Sequence, residues 1–182
     1  MWQETTSQPR NRRIWDEEFE DFVPKRVLDF HVHVCNRATL PDGEFLHPGG
    51  QTAGKYDLQD LARDLADVYP MRITKAVCFG MPNTNYDKAA NDRYLGEVCD
   101  RERFFPFRLL DPVEDPETVR ADVEKHRFLG FKPYLNYVRK EDPNQVEVRE
   151  MLPEPLMQIA NDLGLIIMLH IPRKGRLADP LN

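Results

Sequence analysis

Cysteine is scarce in this sequence, and long apolar runs are missing. The 182 residues include only three cysteines, Cys35, Cys78 and Cys99, which are too few and too scattered for a disulfide framework or a zinc ribbon. The longest apolar run, residues 163–171, is far too short to span a bilayer. No apolar stretch follows the charged N-terminus, as a secretory signal would require. We therefore expect a cytoplasmic protein that does not associate with membranes.

The sequence also lacks an excess of basic charge and any phosphate-binding loop. Its net charge is −6, with acidic and basic residues interleaved along the chain, whereas a nucleic-acid-binding surface needs a basic stripe. Neither a glycine-rich nucleotide loop nor the G-x-S-x-G elbow of serine hydrolases occurs. These absences argue against nucleic acid as a partner and favour a small-molecule substrate.

What the sequence does contain is a regular alternation of apolar strands and amphipathic helices. Residues 1–13 are predicted to be a flexible N-terminal segment, and residues 14–22 a short acidic helix. The predicted strands cover residues 26–34, 73–81, 104–110, 130–134 and 165–171, and the helices between them cover residues 56–68, 89–98, 117–128 and 155–163. Because no hairpin signal separates the strands, this order predicts an α/β fold with a parallel sheet. The fifth strand is apolar on both faces, which is typical of a strand covered on both sides.

Three polar residues end the first predicted strand. Residues two apart in a strand point to the same face, so Asp29, His31 and His33 are expected to share one. Two imidazoles in this spacing can converge on one divalent ion, with Asp29 supporting one of them from behind. The alternative is a pair of core histidines held by hydrogen bonds. The carboxyl ends of parallel strands carry active sites, which favours the metal-binding interpretation.

Two further polar residues interrupt the later strands. His170 is the only polar residue in the fifth strand, so it is either a satisfied core histidine or a third metal ligand across the mouth of a closed barrel. Lys132, in the fourth strand, is a candidate for a carbamate that bridges two metals or for binding a substrate carboxylate. Alternatively, Pro133 ends that strand and Lys132 reaches solvent.

Weaker candidates lie in the loops that follow the strands. His47 follows the first strand and Arg173 the fifth, and together with Lys132 they are the candidate substrate-binding residues. Each of the two is also consistent with an ordinary loop residue. Cys35 adjoins His33, and we interpret it as a small buried thiol rather than a ligand.

The residues around these candidates resemble a known family. Residues 26–34, RVLDFHVHV, look like the first-strand signature of the amidohydrolase superfamily. The acidic helix before them also fits this family, and residues 129–132, LGFK, are similar to a segment of its amidohydrolase-related branch. That branch includes aminocarboxymuconate-semialdehyde decarboxylase-like enzymes. The likeness covers about residues 14–182. It implies a (β/α)₈ TIM barrel with one or two divalent ions, usually zinc. His31 and His33 match the first-strand ligands, His170 matches the fifth-strand ligand, and Lys132 falls where some branches place a carboxylated lysine.

The family pattern also includes residues that this sequence does not contain. A sixth-strand histidine and an eighth-strand aspartate, the general base, would lie beyond residue 182. The resemblance therefore implies that residues 14–182 are the N-terminal portion of such a barrel, strands one to five. A complementary C-terminal segment or a homo-oligomer would then cover the open edges.

The expected function is a metal-dependent hydrolase that attacks an amide, ester or lactone carbonyl with a metal-activated water. The first alternative is a metal-dependent, non-oxidative decarboxylase of a carboxylated small molecule. The second is a non-catalytic fragment that needs a complementary C-terminal half.

Overall fold

Five parallel strands form one curled sheet in the computed structural model, which describes residues 8–40, 45–46, 52–53, 55–171, 175 and 178–180. The strands are β1 (Arg26–His33), β2 (Ile73–Phe79), β3 (Phe104–Leu110), β4 (Gly130–Pro133) and β5 (Ile166–Ile167), and they pair in chain order. A separate antiparallel ribbon joins Phe45–Leu46 to Thr52–Ala53. The predicted α/β fold with a parallel sheet is confirmed, and the curl gives the sheet the form of a half-barrel.

Helices connect consecutive strands of this sheet. They are α1 (Gln8–Ile14), continued by a π-helical turn (Trp15–Phe19), α2 (Leu58–Val68), α3 (Lys88–Val98), α4 (Pro116–His126), α5 (Val148–Met151) and α6 (Glu154–Leu163). The side chains of Asp57, Asp87 and Asp115 cap the first turns of α2, α3 and α4. The first helix begins at Gln8, inside the segment that the sequence predicts to be flexible. None of the helices in the described ranges combines the length and apolar character that crossing a bilayer requires.

Buried apolar residues separate the two faces of the sheet. One face packs against helices through two clusters. The first, at α2 and α3, consists of Val34, Leu61, Leu65, Ala76, Cys78, Leu95, Cys99 and Phe104. The second, at α4 and α6, consists of Leu110, Val119, Val123, Phe128, Phe131, Leu152, Leu156, Ile159 and Ala160. The opposite face, called the inner face here, carries Val77, Phe79, Phe107, Leu109, Tyr134, Tyr137 and Met168. The helices therefore cover one side only, as in the wall of a barrel.

A β-bulge interrupts β1 just before its carboxyl end. Asp29 lies opposite Ala76 and Val32 lies opposite Cys78, so β1 takes three steps where β2 takes two. A bulge changes which face the following side chains point to. Asp29 consequently pairs with a residue of the helix-covered face, whereas His33 pairs with Phe79 of the inner face. The prediction that Asp29 and His33 share one face is wrong for this reason.

The fifth strand is shorter and more exposed than predicted. Only Ile166–Ile167 is strand, followed by one more hydrogen bond from the Met168 N–H to the Phe131 carbonyl (2.9 Å). Ile166 is 50% exposed and Leu169 is 36% exposed. Within the described residues β5 also has a neighbouring strand on one side only. Because Ile166 is half exposed while Ile167 packs on the helix-covered side, the expected cover of both faces is not present at Ile166.

A buried network of charges fixes α3 and α4 against β3. The Arg108 guanidinium, which is almost fully buried, donates to Asp122 (2.7 Å) on α4 and to both Glu114 oxygens (2.9 and 3.0 Å) in the loop before it. Lys88, at the start of α3, donates to Glu114 (3.0 Å) and to the Leu109 carbonyl (3.3 Å). The carboxyl end of β3 is therefore held rigidly beside the carboxyl ends of its neighbours.

Two glycine substitutions test the packing of β4. A Cβ added at Gly130 would overlap the Ile166 carbonyl oxygen and the Phe107 ring, whereas one added at Gly164, whose φ is 64°, has no atom within 4 Å. Gly130→Ala should lower the free energy of unfolding by about 2–3 kcal/mol through overpacking. Gly164→Ala should lower it by only about 1 kcal/mol, because the left-handed backbone is its sole penalty. Urea unfolding measures both, and equal losses would contradict the close approach at β4.

Candidate functional site

The rings of His31 and His33 lie side by side at the carboxyl end of β1. Their centroids are 5.4 Å apart. Each packs edge-on against the ring of Phe79, with centroid distances of 5.0 Å for His31 and 4.8 Å for His33. His31 is exposed and His33 is half-buried. The structure thus brings together the two histidines that the sequence pairs, and the bulge between them and Asp29 sets their direction.

Hydrogen bonds on both ring nitrogens orient His33. Its Nδ1 lies 2.8 Å from the Gly80 carbonyl oxygen, and its Nε2 lies 3.2 Å from the Tyr134 hydroxyl. A carbonyl oxygen only accepts, so Nδ1 carries a proton and donates it. In the neutral ring the lone pair is then on Nε2, where the Tyr134 hydroxyl donates to it. An Nδ1–H bond to a backbone carbonyl is also the contact that orients metal-ligating histidines.

Asp29 does not support a histidine ring from behind as predicted. Its carboxylate accepts a hydrogen bond from the backbone N–H of His31 at 3.1 Å. Because the bulge places Asp29 on the helix-covered side, its carboxylate steadies the bulged backbone rather than an imidazole. Its charge also raises the pKa of His31.

Lys132 is buried on the inner face, between aromatic rings. It is 1% exposed, and its Nζ lies 4.8 Å from the ring centroid of Tyr134 and 5.3 Å from that of Phe79. No carboxylate or hydrogen-bond acceptor pairs with this ammonium among the residues that the structure describes. The interpretation in which Lys132 reaches solvent at the end of its strand is therefore wrong.

Burial and mutual charge shift the titration of this cluster. Burial lowers the pKa of Lys132 to about 8. The pKa of His31 is lowered by burial and by the charge of Lys132, while the charge of Asp29 raises it. His31 and Lys132 are therefore coupled electrostatically although they come from strands that are not neighbours. Groups with perturbed pKa values of this kind cluster at functional sites.

His170 follows β5 and packs on Tyr134. The two ring centroids are 5.1 Å apart, and the Tyr134 ring also lies 6.1 Å from that of His33. Tyr134 is 4% exposed. It contacts His33, His170 and Lys132, which makes it the central residue of the cluster that the sequence interpretation missed. Its position two residues after Lys132, on the same face of an extended segment, was the available signal.

The donor set fits a divalent ion in part. Two neighbouring imidazoles, one with its tautomer set by Gly80, are suitable ligands for zinc. Across the described ranges, however, no group of three or more histidine, cysteine, aspartate or glutamate side chains is placed to share one ion. His170 contacts Tyr134. The assignment of His31, His33, His170 and Lys132 as metal ligands therefore stays a prediction.

A cavity of about 340 Å³ opens beside the histidine pair, on the flank of β1. Both histidines line it, together with acidic and phenolic side chains and an apolar wall from α2: Asp29, Tyr56, Asp64, Tyr69, Leu61, Leu65 and Val68. The Tyr56 hydroxyl donates to Asp64 at 2.8 Å. The histidines can thus be reached from a pocket of small-molecule size.

The remaining candidates differ in their outcome. His47 and Arg173 lie outside the described residues. Cys35 is a buried thiol, 3% exposed, and burial raises its pKa to about 12, although a hydrogen bond with Thr39 lowers it. A thiol with so high a pKa does not ionise near neutral pH, which agrees with the interpretation of Cys35 as a packing residue.

Comparisons of this chain with protein-family models, with curated proteins and with solved structures found no match. The resemblance to the amidohydrolase superfamily therefore rests on the residues quoted from the sequence.

Replacing Lys132 by methionine should change how stability depends on pH. Between pH 8 and 10.5 the unfolded chain holds the lysine proton and the folded chain has released it, so Lys132 contributes a rise in the free energy of unfolding across this window, which opposes the fall contributed by buried thiols such as Cys35. Lys132→Met should lose this rise and should be more stable than the wild type at pH 7. Urea unfolding of metal-free protein at pH 7, 9 and 10.5 measures it.

Lys140→Met, at an exposed lysine paired with Glu150 (2.7 Å), is the matched control and should keep the rise. The same dependence of stability on pH in Lys132→Met as in the wild type would contradict the buried ammonium.

Proposed function

We propose that this chain carries the metal-binding portion of a metal-dependent hydrolase, which attacks an amide, ester or lactone carbonyl with a metal-activated water. The observation that supports it best is the pair of adjacent imidazoles at the carboxyl end of β1, where His33 donates its Nδ1 proton to Gly80. The parallel half-barrel is compatible with the first five strands of a (β/α)₈ barrel.

His31 and His33 would hold the ion, and zinc suits such nitrogen ligands best. When bound, the ion supplies a Lewis acid and a nucleophilic hydroxide at neutral pH. The carbonyl of Gly80 keeps the proton on Nδ1 of His33, so Nε2 would be the atom that holds the ion. The ring of Phe79 packs on both imidazoles, which limits their rotation and keeps water from that side.

Lys132 gives the site a buried positive charge. An ammonium among aromatic rings, without a carboxylate partner in the described part of the chain, stabilises negative charge that develops on a substrate oxygen. With a pKa of about 8 it is mostly protonated at neutral pH. Burial and the charge of Lys132 both lower the pKa of His31, which favours the neutral form that a metal requires.

The same lysine favours a second candidate function, non-oxidative decarboxylation. A buried cation without its own carboxylate suits the carboxylate of a substrate. In that reaction Lys132 holds the carboxyl group that leaves as carbon dioxide. The two functions share the ion and differ in the bond that breaks.

Replacing both histidines of β1 tests the metal site. The wild-type chain, loaded with zinc and dialysed, should retain about one ion per chain, and His31→Ala/His33→Ala should retain none, because two ligands are lost. Elemental analysis measures the content, and circular dichroism checks that each variant folds. His126→Gln, which replaces a buried histidine on α4, is the control and should keep its zinc. Equal zinc in the double variant would refute the site.

The reaction itself is tested by a substrate screen. The zinc-loaded chain should hydrolyse members of a panel of esters, lactones and amides, lose the activity after dialysis against a chelator, and regain it with zinc. Release of carbon dioxide from a panel of aromatic carboxylates would instead identify a decarboxylase. If the zinc-loaded chain shows neither activity by itself, the result would favour the non-catalytic alternative. That alternative also suits the exposed apolar side chains of the inner face: Leu28 (50%), Phe30 (43%) and Ile166 (50%).

A further inference from the structure

We infer that the hydroxyl of Tyr134 competes with a metal ion for Nε2 of His33. The inference rests on the proposed function of His33 as a ligand and adds a residue that controls how tightly the ion is held. It makes Tyr134 a positioning residue, whose hydroxyl must leave Nε2 before an ion can bind there.

The competition follows from the hydrogen bonds of one imidazole. Nδ1 of His33 donates to the Gly80 carbonyl at 2.8 Å, which leaves a single lone pair on Nε2 of the neutral ring. The Tyr134 hydroxyl is 3.2 Å from that nitrogen. One lone pair serves one partner, because hydrogen bonding and coordination both use it along the same direction in the ring plane.

The surroundings of Tyr134 hold its hydroxyl in this position. The side chain is 4% exposed, and its ring packs on His170 at 5.1 Å and beneath the ammonium of Lys132 at 4.8 Å. The same ring thus contacts His33 and His170, the histidines predicted to act together across the mouth.

Removing the hydroxyl while keeping the ring isolates the effect. In Tyr134→Phe the hydrogen bond from the Tyr134 hydroxyl to Nε2 of His33 is lost and the packing on His170 and Lys132 is retained. In the variant, zinc does not have to displace the Tyr134 hydroxyl from Nε2 of His33. Zinc should therefore bind to Tyr134→Phe about fivefold to tenfold more tightly than to the wild type. An orienting role for Tyr134 would weaken binding instead.

The experiment titrates chelator-treated protein with zinc in the presence of a competing chromogenic chelator. Tyr137→Phe is the matched control, because the Tyr137 hydroxyl donates to the carbonyls of Asn83 (3.0 Å) and Met81 (3.5 Å). Its zinc affinity should stay within about twofold of the wild type. Nitrogen-15 spectra of the metal-free proteins give an independent readout: in Tyr134→Phe the Nε2 resonance of His33 should shift because the hydrogen bond from the Tyr134 hydroxyl is lost, while Nδ1 stays protonated.

The outcomes separate the two proposals. If the wild type binds zinc and Tyr134→Phe binds it equally or less tightly, the competition is refuted and the proposed ligands stand. An Nε2 resonance that is unchanged in Tyr134→Phe also refutes the competition, even if zinc is not added. If none of the three proteins binds zinc, the proposed function fails and the inference fails with it.

Discussion

The parallel pairing of β1 with β2 determines everything else at the site. The Val34 N–H donates to the Phe79 carbonyl at 2.8 Å, and His33 lies opposite Phe79. This register brings the imidazole of His33 to the Gly80 carbonyl, the first residue after β2, and sets which nitrogen carries the proton. Without that hydrogen bond the ring could adopt either tautomer, and neither ligation by Nε2 nor a bond from Tyr134 would follow.

The inner face combines apolar packing with a buried ammonium, Lys132, that pairs with no carboxylate among the described residues. Lys132 is 1% exposed, and its Nζ lies over the rings of Phe79 and Tyr134. Burying an ammonium in such surroundings disfavours its charged form, and cation–π contacts offset this only in part. Arg108, another buried cation, follows the usual rule that a buried charge is paired, since it contacts Glu114 and Asp122. Lys132 departs from that rule beside two histidines, which supports a role in binding or chemistry rather than in stability.

Sequence patterns predict the order of elements well because strand and helix periods are local properties. All five strands were predicted, β3 with the observed bounds, and Gly164 ends α6 in the left-handed conformation as expected. The pairing of His31 and His33 also follows from local spacing. The bulge after Asp29 does not, since it arises from the register between two strands. Neither does the contact of Tyr134 with His33, which brings together side chains 101 residues apart. The exposure of Ile166 depends on which strands flank β5, and periodicity carries no information about that.

The central claim is that the two imidazoles of β1 share one ion at the mouth of a parallel sheet. Anomalous diffraction at the zinc edge from crystals of the zinc-loaded chain tests it most directly. An ion shared by the two imidazoles should give a peak about 2.0–2.1 Å from a ring nitrogen of His31 and from Nε2 of His33. A peak elsewhere on the protein, or none at saturating zinc with both rings ordered, would contradict it.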